Sequence, residues 1–353
     1  LQLGLFLLKG KNRPPSRFQL RRDYTEDFFS LLPFSPTRAQ RRAVREAMTD
    51  LTGGSCMNRL IQGDVGSGKT AVAAALCYSV VKNGFQAALM APTEILARQH
   101  FGVLSRLLEP AGIRVALLTG SIPAARRKKI LSGMEDGTVG LTVGTHALFS
   151  KDVRFCRLGL VVTDEQHRFG VAQRAALSAK GTHPHLLVMS ATPIPRTLAL
   201  MIYGDLDLSV LDELPPGRRE IKTFAVTSDK RGRVFVFLKK RLAEGRQCYV
   251  VCPAIEEGEG GVASVERYAE KLRSEWLRGF PVEVLHGRMK AREKEDVMRR
   301  FSSGEIGVLV STTVVEVGVD VPNATVMVVE NAERYGLSQL HQLRGRVGRG
   351  THQ

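Results

Sequence analysis

The stretch Gly63-Asp64-Val65-Gly66-Ser67-Gly68-Lys69-Thr70 constrains this chain more than any other. It fits G-x-x-x-x-G-K-[ST], a phosphate-binding loop, and its flanks agree with its letters. Met57-Asn58-Arg59-Leu60-Ile61-Gln62 ahead of it is short and partly apolar, as a strand is, whereas Ala71-Val72-Ala73-Ala74-Ala75-Leu76 behind it favours helix. Glycines let backbone N–H groups wrap an anion with no Cβ in the way, and the helix that follows turns its positive dipole end toward the phosphates. Lys69 then meets the β and γ phosphates as a point charge, and the Thr70 hydroxyl joins the octahedral shell of Mg²⁺. A glycine-rich turn of the same wording is the plain alternative. The loop alone does not say what the nucleotide drives.

A chain of 353 residues with 43% hydrophobic and 24% charged residues reads as a soluble globular protein of two domains. Its net charge of +16 points to a polyanionic partner, because each neutralised phosphate releases counterions; a basic piece of something larger would look the same. Cys56, Cys77, Cys156, Cys248 and Cys252 lack paired metal spacing and read as buried thiols in a reducing compartment. No apolar run reaches the length of a membrane span. The chain opens Leu1-Gln2-Leu3-Gly4, without methionine, and reads as an excised piece.

Beyond a lead-in over residues 1–34, broken by Pro14-Pro15, Thr37 can N-cap a helix running to about Leu51. On that helix Gln40 offers a donor and an acceptor, which suits the edge of adenine; a solvated glutamine is the bland reading. Apolar runs at 87–91, 115–118, 140–143, 158–162 and 186–189 read as buried strands, the earlier ones separated by helices near 94–109 and 122–136. Arg126-Arg127-Lys128-Lys129 reads as a solvated helix face. After Asp212-Glu213-Leu214-Pro215-Pro216-Gly217-Arg218-Arg219, which punctuates as a linker, the alternation restarts with a strand near 221–226 and helices at 229–244, 262–277 and 291–302. Strands at 247–252, 282–285, 307–311 and 325–329 complete that half. Such alternation predicts parallel sheets covered on both faces, with one nucleotide site for two α/β lobes.

Leu160-Val161-Val162-Thr163-Asp164-Glu165 is an apolar strand ending in two acids. Asp164 can hold Mg²⁺ through its water shell, and Glu165 can orient or deprotonate the attacking water. Ser190-Ala191-Thr192 closes another strand, where its hydroxyls either bridge the nucleotide site to the second lobe or merely cap. In Gln342-Leu343-Arg344-Gly345-Arg346-Val347-Gly348-Arg349-Gly350, Arg346 and Arg349 are three apart, and on a helix they would face one way and meet phosphate charge across a cleft. An arginine supplied as a cleft closes stabilises charge in phosphoryl transfer.

Together these pieces resemble a superfamily 2 helicase motor from about Leu32 to Gly350. Ala91-Pro92-Thr93-Glu94, Val143-Gly144-Thr145-His146, Asp164-Glu165-Gln166-His167-Arg168-Phe169-Gly170 and Ser190-Ala191-Thr192-Pro193-Ile194-Pro195-Arg196-Thr197 look like first-lobe motifs. Leu285-His286-Gly287-Arg288-Met289-Lys290 and Ser311-Thr312-Thr313-Val314-Val315-Glu316-Val317-Gly318-Val319-Asp320 look like second-lobe ones. Within the RecG/Mfd-like branch, Gln166 and the wording around Pro215-Pro216 and His286 resemble the RecG family of ATP-dependent DNA helicases more than the Mfd family.

The resemblance implies an α/β fold of two RecA-like P-loop NTPase lobes, each a mostly parallel sheet flanked by helices, over 35–211 and 221–353 with a linker at 212–220. It implies that ATP and Mg²⁺ are the cofactors, with Gln40 reading adenine, residues 63 to 70 holding phosphate, and Thr70 and Asp164 holding the metal. Glu165, Gln342, Arg346 and Arg349 become catalytic, Ser190, Thr192, Gly318 and Asp320 coupling, and Thr93, Thr145, His146 and Thr312 contacts to the DNA backbone that position without reading sequence. The implied partner is branched or duplex DNA, in the cytoplasm and at the nucleoid if bacterial, with no membrane and no oligomer implied. The family's wedge domain exceeds what residues 1–34 can form, and its translocation element follows the arginine run. This piece is therefore expected to keep the nucleotide cleft without branch specificity or full unwinding. An RNA helicase, an Mfd-like translocase and a degenerate DNA-binding module are the alternatives.

Overall fold

The apolar runs of the sequence become the strands of two parallel sheets, one in each of the two units into which the chain divides between Pro215 and Pro216. The computed structural model describes residues 20–164, 183–191, 206–213, 221–253, 259–312 and 321–348. In the first unit the order is α1 (Thr25–Phe29), α2 (Arg38–Thr52), β1 (Asn58–Gly63), α3 (Lys69–Lys82), β2 (Gln86–Met90) and α4 (Glu94–Leu108). It continues with β3 (Val115–Leu118), α5 (Ala124–Glu135), β4 (Leu141–Gly144), β5 (Leu158–Thr163), β6 (His185–Ser190) and β7 (Asp207–Leu211).

The seven strands lie in the order β3-β4-β2-β5-β6-β1-β7, every pair parallel. Strands β2 to β5 are buried throughout, which is why they read as unbroken apolar runs rather than as alternation. Successive side chains serve opposite faces: Leu89 joins the core with Leu76, Leu104 and Val143, while Met90 packs with Leu118, Met134 and Val161. Helix α2 starts as expected at Thr37, in a capping box where Thr37 Oγ1 accepts from the Gln40 amide and Gln40 Oε1 accepts from the Thr37 amide.

In the second unit α6 (Arg231–Ala243), β8 (Gln247–Val251), α7 (Glu259–Lys271), β9 (Val282–Leu285), α8 (Ala291–Ser302), β10 (Val308–Ser311), β11 (Ala324–Val329) and α9 (Leu337–Arg344) follow in turn. Their four strands pair in parallel as β11-β8-β10-β9. Tyr249, Phe301 and Leu309 fill one face, and Phe235, Leu242, Cys248 and Val250 the other.

Three readings of the sequence are corrected. Residues 221–226 form no strand: Phe224 is 77% and Val226 53% exposed, and none of the described strands pairs with them. Arg346 is not on a helix, because α9 ends at Arg344 and Gly348 turns to φ +71°, a left-handed conformation that suits glycine and cannot continue a helix. Cys156 is exposed, although the other four thiols are buried as expected. Strand β7 and helix α1 went unread. β7 sits at the sheet edge with Val210 exposed, and α1 is a five-residue helix that carries Phe28 into the core.

Candidate nucleotide site and the carboxyl edge of the sheets

Parallel strands bring all their carboxyl ends to one edge, and in the first unit that edge collects most of the residues singled out in the sequence. β1 runs into the loop that begins at Gly63, and α3 begins at Lys69. Gly66 and Gly68 take φ of +80° and +86°, and a Cβ on Gly68 would collide with Gln40 Nε2. The loop therefore needs glycine at Gly68 for both conformation and space. Lys69 Nζ donates to the carbonyls of Gly63 at 2.8 Å and Asp64 at 2.9 Å, folding the ammonium back over the loop. Ser67 Oγ is buried without a hydrogen-bond partner inside the cradle. A left-handed glycine loop at a helix N-terminus, a lysine and an unsatisfied hydroxyl suit a polyphosphate.

Gln40 is buried, and its amide is engaged at both ends: Oε1 takes the Thr37 N–H at 3.0 Å, and Nε2 donates to the Ser67 carbonyl at 2.8 Å. The second N–H and second lone pair of such an amide remain for a ligand edge. Strands β6 and β5 lie next to β1 in turn. Ser190, buried at the end of β6, is level with Gln62 of β1, and Asp164 follows β5 with its amide donating to Met90 O at 2.9 Å. Thr70 and Asp164 offer a hydroxyl and a carboxylate, the hard oxygen donors that Mg²⁺ takes.

Farther along the same edge stand Thr93, Thr145 and His146. Thr93 N-caps α4, its hydroxyl accepting from Leu96 N. Thr145 follows β4, with its hydroxyl buried and without a hydrogen-bond partner, and His146 is exposed. Between them Glu94 gathers Thr119 at 2.8 Å, Arg98 at 2.8 Å and Ser121. Burial alone would raise the Glu94 carboxyl, but hydrogen bonds from Ser121, Thr119 and Arg98 outweigh it and hold it below the usual carboxylate range.

In the second unit Thr312 is buried just past β10. Gln342 is half-buried on α9, and half-buried Arg346 follows it, its amide donating to Leu343 O at 2.9 Å. Leu343 and Val347 anchor this stretch in the core. Across the sheet's edge Arg231 donates to Tyr268 Oη and Glu330 Oε1, both at 2.8 Å. Glu165, Thr192, Gly318, Asp320 and Arg349 lie outside the described residues.

Sequence reasoning missed His100, whose Nε2 lies 2.7 Å from Asp164 Oδ2, with both residues buried. Its signal was a polar residue on the apolar face of α4, in line with Leu96, Ala97 and Leu104. The Glu94 network was missed as well, because two of its three partners, Thr119 and Ser121, lie 25 and 27 residues along the chain.

The DEAD/DEAH box helicase model matches residues 37–201, and the helicase conserved C-terminal domain matches residues 229–351. The chain is 51% identical over 358 residues to the ATP-dependent DNA helicase RecG of a Synechocystis species, covering 100% of this chain and 43% of that protein. Against the protein of the same description from Bacillus subtilis it is 51% identical over 331 residues, with 92% and 48% covered. A solved structure of RecG bound to a three-way DNA junction superposes with a TM-score of 0.82 at 44% identity, over 99% of this chain and 45% of that one. The chain spans about half the length of the curated relatives it matches. Among the described residues no helix is long and apolar enough to cross a membrane.

Proposed function

This chain belongs to the RecG family of helicases, with the two RecA-like α/β lobes of that fold, and from that premise we propose that it is an ATP-driven motor on double-stranded DNA. Its hydrolysis of ATP remodels branched DNA, such as stalled forks and Holliday junctions, in recombination and repair in the cytoplasm. The observation that carries this reading is the grouping on one sheet edge of the glycine loop of β1, Ser190 of β6 and Asp164 of β5. Ligands of open α/β sheets bind at such an edge.

In this proposal the amides of residues 63 to 70 and Lys69 hold the triphosphate, and Gln40 reads adenine with its remaining N–H and lone pair. Thr70 and Asp164 hold Mg²⁺, which neutralises phosphate charge when bound. Glu165 orients the attacking water and takes its proton. Gln342, Arg346 and Arg349 act on the γ-phosphate, whose charge builds in the transition state. Ser190, Thr192, Gly318 and Asp320 couple nucleotide state to DNA grip. Thr93, Thr145, His146 and Thr312 bind the DNA backbone, and the net charge of +16 favours that contact. The motor lobes are residues 35–211 and 221–353, joined through 212–220.

ATP turnover measured with branched DNA, linear duplex, single strands and RNA duplex tests the reading, with Glu165→Gln as the control. Stimulation by branched or duplex DNA that vanishes in Glu165→Gln while nucleotide still binds is the expected result. Preference for RNA would make the chain an RNA helicase, and no stimulation by any nucleic acid would end the motor reading.

A further inference from the structure

Helix α4 buries Leu96, Ala97, Leu104 and Leu108, and amid them His100. Four of these five are apolar, and a fifth apolar residue would fill the position without desolvating an imidazole. The imidazole instead meets a carboxylate: Nε2 lies 2.7 Å from Asp164 Oδ2, across 64 residues of sequence, with His100 7% and Asp164 8% exposed. A carboxylate only accepts, so Nε2 carries the shared proton. Asp164 closes β5 through its own amide, which donates to Met90 O at 2.9 Å, so its backbone is set by the sheet. Its carboxylate is reached from α4, where His100 Nε2 bonds Oδ2.

We propose that His100 is the positioning residue for Asp164: it grips Oδ2 from α4 and fixes the plane in which the carboxylate meets the Mg²⁺ shell. This rests on the ATP-site reading above. Partners one step behind a metal ligand set its orientation, and losing one costs roughly 10- to 100-fold in metal affinity or activity. The role assigned to His100 passes through Asp164, the group its Nε2 meets.

The test is equilibrium binding of a fluorescent ADP analogue to the full chain, in excess Mg²⁺ and in excess chelator. Wild type should bind more tightly with Mg²⁺. His100→Leu should match wild type in chelator and lose roughly 10- to 100-fold of the tightening by Mg²⁺. His100→Gln, whose amide nitrogen can stand where Nε2 stood, should recover it. In an Asp164→Asn background His100→Leu should have no further effect.

Full Mg²⁺ tightening in His100→Leu would overturn the proposal. So would an equal loss with and without Mg²⁺, which marks damaged packing, or an added loss in the Asp164→Asn background. Failure of His100→Gln to recover would overturn it too. Wild type that bound no nucleotide at all would take down the ATP-site reading itself, a result visible before any variant is made.

Discussion

Alanine in place of Gly68 puts two separable costs on the phosphate loop. The first is conformational: Gly68 has φ +86°, where a residue with a Cβ loses about 1–2 kcal/mol. The second is steric, because the new Cβ lands on Gln40 Nε2 and drives it off the Ser67 carbonyl, to which it donates at 2.8 Å. Leaving that buried carbonyl unpaired costs about 1–3 kcal/mol, so Gly68→Ala should destabilise the first unit by about 2–5 kcal/mol. Gln40→Ala loses the same bond and the capping contact to Thr37 N. In the double variant the clash is gone and the Ser67 bond is lost only once, so its destabilisation should fall short of the sum of the singles by about 1–3 kcal/mol. Urea unfolding of the four proteins, followed by far-ultraviolet circular dichroism, reads this; the single tryptophan, Trp276, lies in the second unit and would report on the other sheet. Additive singles, within about 0.5 kcal/mol, would refute the Gln40–loop contact as the source of the cost.

Lys69→Ala should abolish ATP hydrolysis in a DNA-stimulated assay, and measurable turnover would remove Lys69 from the site. Burial lowers the pKa of His185 to about 4, and its Nδ1 accepts the Met57 N–H at 2.9 Å. The unfolded chain binds the proton at higher pH than the folded one, so His185 contributes fully above about pH 6.5, and about 3 kcal/mol is lost as pH falls through 4. His185→Asn, which keeps an acceptor for Met57, should flatten that slope when urea midpoints at about pH 7.5 and about pH 4.5 are compared, and an unchanged slope would assign the acid lability elsewhere. Arg59, 8% exposed, holds Asp50 at 2.6 Å and Glu46 at 3.2 Å, so Arg59→Met should lower stability by about 2 kcal/mol in the same unfolding assay. A loss of stability too small to measure would show that these half-solvated carboxylates need no partner.

The loop around Lys69 was legible because its chemistry is local: glycines, lysine, threonine and both flanks lie within one strand and one helix. Buried strands such as β2 and β5 were legible for a similar reason, since a strand covered on both faces must be apolar at every position. Edges were not. Asp207-Leu208-Ser209-Val210-Leu211 forms β7 because β1 offers it a ladder, whereas 221–226, with Ile221, Phe224 and Val226, forms no strand. What decides between them is a neighbour, and a local pattern holds no neighbour. The same limit hid His100, whose partner is 64 residues away, and the turn of Gln40 toward Ser67, 27 residues away. The arginine run misled through spacing alone: three residues apart means one face only where a helix continues, and this one stops at Arg344.

The most direct test of the motor account is ATP turnover by Arg346→Ala on duplex DNA, with nucleotide affinity measured in the same preparation. The account predicts affinity equal to wild type and turnover lower by about a hundredfold or more, since the guanidinium acts only on charge that develops in the transition state. Turnover equal to wild type, at equal affinity, would contradict it.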